Sequence, residues 1–353
     1  MPTVRAAVLL TLALTAVYGE LLIYRMNVQS WQSSSHLIRS PTFDGPLDDQ
    51  SKLHLLILSN PSIDVPQLEQ DSVFSLGGQS PSAWAAWAAE RHARRATALA
   101  IDHFRPDAIV ILGNIMQSGS AYSDAQFKSG TETLQSIVES NLPTITVPGE
   151  SDIIDPSSIA NTLYALQRWQ KSFNASLSQH YYLHQYTLTT IDSVSLHGHP
   201  HLEQSAGPAD AFLMSLRNRL AKAPDFHRAG TGNRVGMAEA GPEIPPLVLF
   251  SYFPMHELHA DTRRSIVNDL QPRYIFSARD RSTKPSSTNI FPAGVTEMHV
   301  PSLMVDFSKW LFSDLGSESG FAVAVLHNRC EPDQADRRSS DFRDATPTHC
   351  PGP

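Results

Sequence analysis

Short apolar runs alternate with amphipathic stretches through the first half of the chain, and this alternation constrains the fold more than any other feature. Residues 53–58, Ala108–Leu112 and Thr144–Val147 are apolar runs of the length that buried strands have. Residues 83–104 and 127–138 lie between them and carry apolar side chains at helical spacing. Strands that alternate with helices pair in parallel through right-handed crossovers. The sequence therefore predicts an α/β fold.

The second half of the chain adds further strands and a long loop. Residues 181–196 are β-rich and precede a helix near residues 210–220, while residues 224–246 are rich in proline and glycine. Later apolar runs predict strands at 247–252, 274–277, 296–300 and 321–326. We expect one domain over residues 51–328, followed by a disordered tail over residues 329–353, which lacks apolar periodicity.

Charge and cysteine content exclude several classes of function. Acidic residues number 35 against 27 basic residues, which gives a formal net charge of −8. We expect no nucleic-acid partner, because phosphate contacts need clustered cations and the sequence has no such stripe. Cys330 and Cys350 are too few for a disulfide scaffold or a cysteine-rich zinc module. In an oxidising lumen they would close a loop of about 20 residues, and two free thiols are the other interpretation.

The N-terminal segment is apolar and flanked by arginines. Residues 6–24 form a run of 19 residues, close to the ~20 that span a bilayer core, and Glu20 interrupts it. A cleaved signal peptide is one interpretation, since small residues precede Glu20. The length favours an uncleaved signal anchor over residues 1–25, in which Glu20 lies near the headgroups. Residues 26–50 are polar and serine-rich, and we interpret them as a stalk.

One acceptor sequon, Asn174-Ala175-Ser176, favours a lumenal position of the body and predicts glycosylation at Asn174. We therefore expect a single-pass membrane protein of the ER or Golgi. Its body would lie in the lumen, and the N-terminal helix would be its contact with the membrane.

Polar residues follow the predicted strands, at the ends where α/β sheets bind ligands. Residues 59–62 follow the first strand, residues 113–119 follow the second, and residues 148–153 follow the third. Residues 251–255 and 277–281 follow two later strands. We expect these five stretches to lie together at one site.

The five stretches, in this order, resemble the motifs of the calcineurin-like metallophosphoesterases, D-x-H, G-D, G-N-H-[DE], H and G-H-x-H. The resemblance is closer to one branch, the membrane-anchored enzymes that trim ethanolamine-phosphate from GPI-anchor glycans in the early secretory pathway. Other segments similar to that branch are 19–24, 105–113, 192–196, 270–273 and 300–303. The resemblance implies a four-layer α/β/β/α sandwich, two divalent metal ions in active relatives, and a role related to GPI-anchor remodelling and ER-to-Golgi transport.

The chain departs from the family at every position that holds a metal ligand. Those positions are occupied by Asn60 and Ser62 in the first motif, then by Asn114, Glu150 and Tyr252, and by Arg279 and Arg281 in the fifth motif. Ser151 falls at the position of the family's catalytic histidine. Asp152 and Asp280 match the family, which does not use them as ligands.

Residues of these types predict that the site binds no divalent metal, and we expect no cofactor. Such ions prefer carboxylate oxygen and neutral imidazole nitrogen, and arginine cannot lose its proton to become a ligand. One arginine charge about 4 Å from a divalent ion repels it by roughly 8 kcal/mol at an effective dielectric of about 20. The sequence therefore predicts a catalytically inactive homologue. The alternative is a divergent phosphodiesterase acting on GPI-glycan ethanolamine-phosphate, with one metal at Glu150 and a nearby histidine.

Arg279 and Arg281 have two interpretations. Guanidinium groups bind phosphate oxygens bidentately, so the pair would replace metal charge and bind a phosphate-bearing glycan or protein. The other interpretation, which we favour from the sequence, is a pair of salt bridges with Glu150 or Asp152 that fill an inactive pocket.

Two histidine groups are weaker metal-site candidates. Residues 197–201 hold three histidines at a spacing of two, but their glycine and proline predict a surface loop. His256 and His259 flank Glu257 in a His-x-x-His spacing that differs from the zinc-protease motif. We expect these two residues to cap or flank a helix.

Overall fold

The computed structural model describes residue 11 and residues 52–65, 81–184, 186–198, 202–222, 246–278, 287–288, 295–303 and 321–327. Apart from Thr11, the predicted anchor, the stalk, both arginines of the fifth motif, both cysteines and the tail lie outside the described residues. Within the described part of the chain, no helix has the length and apolar character needed to cross a membrane. What the sequence predicts for the other segments stays a prediction.

The first sheet has four strands in the order β10-β1-β2-β3. β1 (Lys52–Ser59), β2 (Ala108–Leu112) and β3 (Thr144–Val147) pair in parallel, as the alternation of strands and helices predicts. β10 (Ala322–His327) pairs with β1 in the antiparallel direction. β2 is buried along its whole length, which fits its unbroken run of apolar residues.

Helices cover the outer face of the first sheet. They are α1 (Pro81–Phe104), α2 (Asp124–Ile137), the single turn α3 (Glu150–Ile153) and α4 (Ile159–Phe173). A capping box begins α2, because the Ser123 hydroxyl accepts from the Gln126 N–H while the Gln126 side chain bonds the Ser123 N–H. The helices pack apolar side chains such as Ala100, Phe127 and Trp169 on the sheet.

The second sheet has six strands in the order β4-β5-β6-β7-β9-β8. The strands are β4 (Gln179–Leu183), β5 (Tyr186–Thr190), β6 (Leu247–Ser251), β7 (Tyr274–Ala278), β8 (Ser287–Thr288) and β9 (Thr296–Val300). β5, β6, β7 and β9 run in parallel, and β4 and β8 are antiparallel edge strands. The associated helices are α5 (Ser193–Leu196), α6 (Glu203–Lys222) and α7 (Ala260–Arg264), with a π-helical turn over Ser265–Leu270.

The two sheets pack face to face, and each carries helices on its other face. The core between them contains side chains of both sheets, for example Leu55 and Val110 with Phe250 and Phe276. A further core lies between the second sheet and α6, with Leu249 against Leu213, Leu216 and Leu220 among others. Alternate residues of the same strands therefore serve different cores, as the pleat requires. The predicted four-layer α/β/β/α sandwich is confirmed for the described residues.

Candidate functional site

The backbone at the ends of β1 and β2 turns through left-handed residues. Asn60, Ser62 and Asn114 have φ angles of 46°, 44° and 40°, and Gly113 has a φ of 42°. Main-chain bonds tie the two turns together, because the Asn60 N–H donates to the Leu112 carbonyl at 2.9 Å and the Ser62 N–H to the Asn114 carbonyl at 2.8 Å. Left-handed backbone in residues other than glycine costs about 1–3 kcal/mol each and clusters at active sites and ligand clamps.

Asn114 is the centre of a hydrogen-bonded network between strand ends. Its Nδ2 donates to the Tyr252 Oη at 2.7 Å, which joins the end of β2 to the end of β6. Its Oδ1 accepts from the Ser151 N–H at 3.0 Å and lies 2.9 Å from the Ser151 hydroxyl. These contacts bring five of the sequence-predicted positions together. We call Asn60, Ser62, Asn114, Ser151 and Tyr252 the cradle.

The Tyr252 ring fills the cradle by packing directly on a glycine. A Cβ atom at residue 113 would lie 1.9 Å from Cδ2 of that ring. A second close approach occurs at Gly149, where a Cβ atom would lie 2.0 Å from the main-chain nitrogen of Asn114. The two glycines therefore allow the ends of β2, β3 and β6 to close around one phenol and one amide.

Asp152 braces the cradle from inside the core. Its Oδ2 accepts from the Gly149 N–H at 2.9 Å and from the Ile115 N–H at 3.0 Å, and its Oδ1 accepts from the Met116 N–H at 2.9 Å. Burial raises the pKa of Asp152 to about 6, although the three N–H donors act in the opposite direction. Asp152 is fully buried, and both of its carboxylate oxygens are bonded to backbone N–H groups. Its predicted salt bridge to the fifth-motif arginines stays a prediction, because those arginines lie outside the described residues.

Glu150, the other predicted partner of those arginines, is the first residue of α3 and is exposed. It forms no ion pair with any residue in the described ranges. Within those ranges, no histidine joins it in a group that could hold a metal. The predicted metal site of Glu150 and a nearby histidine is therefore not assembled by this part of the chain.

Ser193 positions the turn that carries Tyr252. Its hydroxyl oxygen accepts from the Tyr252 N–H and the Phe253 N–H, both at 3.0 Å. Asp192 caps the short helix that begins at Ser193, because its Oδ1 accepts from the Ser195 N–H at 3.0 Å. Burial raises the pKa of Asp192. The segment 192–196 thus holds the turn of Tyr252 in place but contributes no side chain to the cradle.

The cradle presents neutral groups only. Its five side chains are two amides, two hydroxyls and one phenol. Zinc, magnesium and similar ions are held by carboxylate, imidazole or thiolate ligands, so these residues do not fit the two metal ions that the resemblance implies for active relatives. The same residues include no base that titrates near neutral pH, so the cradle has no group to activate water.

Two other sequence predictions concern surface positions. Asn174 is exposed and ends α4 as a left-handed C-cap with φ of 46°, a position that a glycan can reach. His197 is also exposed and stacks on the Phe253 ring with centroids 4.3 Å apart. The histidines at 199 and 201 lie outside the described residues.

A second polar cluster, which the sequence analysis missed, contains His256, Glu297 and His299. Their candidate ligand atoms all lie within 4.8 Å of one another. His256 lies in the 3₁₀ turn Met255–Glu257 before α7, so its predicted place beside a helix is correct but incomplete. The spacing of Glu297 and His299 could have indicated this cluster, because residues two apart in a strand lie on one face of the sheet.

Comparisons with known proteins find structural similarity at low sequence identity. No family model matches the chain, and no curated protein matches it. A dimetal phosphatase from Danio rerio is similar in structure, with 11% identity, a TM-score of 0.41, and coverage of 78% of this chain and 93% of that chain. A predicted phosphoesterase from Streptococcus pneumoniae has 7% identity, a TM-score of 0.29, and coverage of 78% and 83%. Both TM-scores are below 0.5, so the description of this fold rests on the two sheets and the core between them.

Proposed function

We propose that this chain is a catalytically inactive homologue of the calcineurin-like metallophosphoesterases. The observation that carries the proposal is the network around Asn114. At the position of a metal-ligating aspartate in the family, an amide bonds the Tyr252 phenol at 2.7 Å and the Ser151 N–H at 3.0 Å. The phenol ring occupies the space beside Gly113. Neutral hydrogen bonds therefore close the place where the family binds cations.

The strained backbone of the cradle supports descent from a ligand-binding site. Asn60, Ser62 and Asn114 have left-handed conformations, which are uncommon outside glycine and cluster at ligand-binding sites. This argument is about ancestry, and the side-chain types are what argue against present catalysis.

We further propose that the protein belongs to the early secretory pathway and is related to GPI-anchor remodelling. The support is the similarity of several sequence segments to that branch of the family, together with the apolar N-terminal run. The exposed position of Asn174 agrees with a lumenal body.

The function of such a protein would be binding, and we propose a phosphate-bearing glycan or protein as the ligand of Arg279 and Arg281. The hydrogen bonding of Asp152, one of the two competing partners for these arginines, supports this proposal, because its carboxylate already accepts from three backbone N–H groups. Two guanidinium groups on residues two apart match the oxygens of a phosphate monoester or diester.

The test of inactivity is phosphodiester hydrolysis by the purified full-length chain in detergent, after loading with Mn²⁺ or Zn²⁺. We expect no turnover of bis(4-nitrophenyl) phosphate above the rate of a heat-denatured control. Turnover that Asn114→Ala or Glu150→Ala abolishes would contradict the proposal and favour the divergent phosphodiesterase.

The test of the anion site is the thermal midpoint of the chain in phosphate and in chloride of equal ionic strength. We expect phosphate to raise the midpoint of the wild type and to leave that of the double variant Arg279→Ala with Arg281→Ala unchanged. A matched control is Arg263→Ala with Arg264→Ala, which changes one partly exposed and one exposed arginine of α7. An equal response of wild type and the first double variant would rule the anion site out.

A further inference from the structure

Three side chains of metal-ligand type converge outside the cradle, on the helix-facing side of the second sheet. His256 comes from the turn after β6, and Glu297 and His299 come from β9. Their candidate ligand atoms lie within 4.8 Å of one another. Glu297 and His299 are buried, whereas His256 is exposed. The group therefore has two members buried in the sheet and one at the surface.

Ser277 bridges Glu297 and His299. Its hydroxyl lies 3.0 Å from Glu297 Oε1, to which it donates, and 2.9 Å from His299 Nδ1. With the hydroxyl proton directed to Glu297, the Ser277 oxygen accepts from His299 Nδ1, which leaves Nε2 as the nitrogen that would ligate a metal. An imidazole ligates a metal in this form, with its other nitrogen held by a partner outside the coordination sphere.

Glu297 has one oxygen engaged and one that is not. Oε1 accepts from the Met255 N–H at 2.8 Å as well as from Ser277. Oε2 is buried and has no hydrogen-bond partner among the described residues, in a side chain that is 0% exposed. A buried carboxylate oxygen without a donor is unfavourable as an anion, and either a proton or a cation beside it removes that cost.

We propose that His256, Glu297 and His299 bind one divalent transition-metal ion of the Zn²⁺ class. Two imidazole nitrogens with one carboxylate oxygen suit zinc, whereas calcium and magnesium prefer oxygen ligands throughout. The fourth position would open toward solvent on the His256 side and hold water. The site shares no residue with the cradle, and it stands whether or not the cradle is inactive.

Binding requires a small contraction of the cluster. Ligand atoms around tetrahedral zinc lie about 3.3 Å apart, which is less than the present limit of 4.8 Å. His256 can supply the movement, because its side chain is 50% exposed and it lies in a surface turn. The ion would tie that turn to β9, to which the bond from the Met255 N–H to Glu297 already connects it.

The test is a Co²⁺ titration of the chelator-treated full-length chain, followed by visible absorption and by competition with Zn²⁺. We expect one equivalent to bind with the spectrum of a low-symmetry nitrogen and oxygen site. Affinity should fall by about tenfold or more in His256→Ala, and by about 10- to 100-fold in Ser277→Ala, which frees the His299 tautomer. His256 is exposed, so its replacement leaves folding intact, and circular dichroism checks the buried variant.

Two controls make the result specific. His259→Ala changes an exposed histidine just before α7 and should bind Co²⁺ like the wild type. Asn114→Ala changes the cradle and should also bind normally. Absence of a stoichiometric spectrum, or wild-type affinity in His256→Ala, would overturn the zinc site. A spectrum lost only in Asn114→Ala would overturn it as well, and would place the ion in the cradle.

Discussion

Replacement of Asp152 by asparagine separates two opposing effects on the stability of the cradle. The carboxylate accepts three backbone hydrogen bonds, two at Oδ2 and one at Oδ1. An asparagine in the same rotamer keeps the two bonds at the Oδ2 position and turns its NH₂ group toward the Met116 N–H. One buried donor then loses its acceptor, at a cost of about 1–3 kcal/mol.

The charge of Asp152 acts in the other direction. Burial raises its pKa from the ordinary value of 3.8 to about 6, so ionisation in the folded state costs about 3 kcal/mol at neutral pH. The folded state therefore binds the proton more tightly than the unfolded chain. This contribution to stability is present below the unfolded pKa and is lost as the pH rises through the folded pKa. The asparagine variant has no such contribution at any pH.

We expect the wild type and Asp152→Asn to differ in unfolding free energy by no more than about 2 kcal/mol near pH 7, where the two effects offset each other. As the pH falls to about 4, the wild type should gain up to about 3 kcal/mol over the variant. Urea unfolding of both proteins across this range measures the difference. If acidification instead weakens the wild type relative to the variant, then the three N–H donors hold the pKa of Asp152 below its ordinary value, and the reasoning from burial is refuted.

Three further predictions concern other contacts. Gly113→Ala should lower the thermal midpoint strongly, because residue 113 has a left-handed φ and an added Cβ would clash with the Tyr252 ring. In a Tyr252→Ala background, calorimetry should show a smaller fall in the midpoint, and an equal fall would contradict the clash. Arg168→Met should lower the free energy of unfolding in urea by about 2–4 kcal/mol, because this nearly buried guanidinium donates to the carbonyls of Gly119 and Tyr122. Lys128→Ala changes an exposed side chain and should lower it little. Asn174→Gln should remove one N-glycan from the chain made in secretory cells, seen as a gel shift, and an unchanged band would exclude glycosylation there.

The positions of the strands could be predicted from the sequence because the buried runs are short, apolar and bounded by polar turns. The runs at 108–112 and 144–147 match β2 and β3 residue for residue. The residues that follow parallel strands also lie together, since the carboxyl ends of such strands share an edge. The contact between Asn114 and Tyr252 does not follow from this rule, because β2 and β6 belong to different sheets and the contact depends on how the two sheets pack.

The direction in which Asp152 points could not be predicted from the sequence. From the sequence alone, an aspartate one turn after a strand could form a surface salt bridge or could be buried and accept hydrogen bonds from the backbone. The choice depends on the N–H groups of Ile115 and Met116, which belong to the loop after a different strand. Similarly, His256 meets Glu297 and His299 only because β9 pairs with β7 beside β6, a neighbour relation that local sequence does not contain.

The buried polar groups of this protein differ in how far hydrogen-bond donors satisfy them. In the cradle, Asn60 and Asn114 carry neutral amides, and the Tyr252 ring packs beside Gly113. Asp152 keeps its carboxylate because three backbone donors face it. Glu297 also keeps a carboxylate, yet donors reach only one of its oxygens. A buried anion that is half satisfied by donors still needs a positive partner, so the remaining affinity for a cation is expected at β9 and not in the cradle.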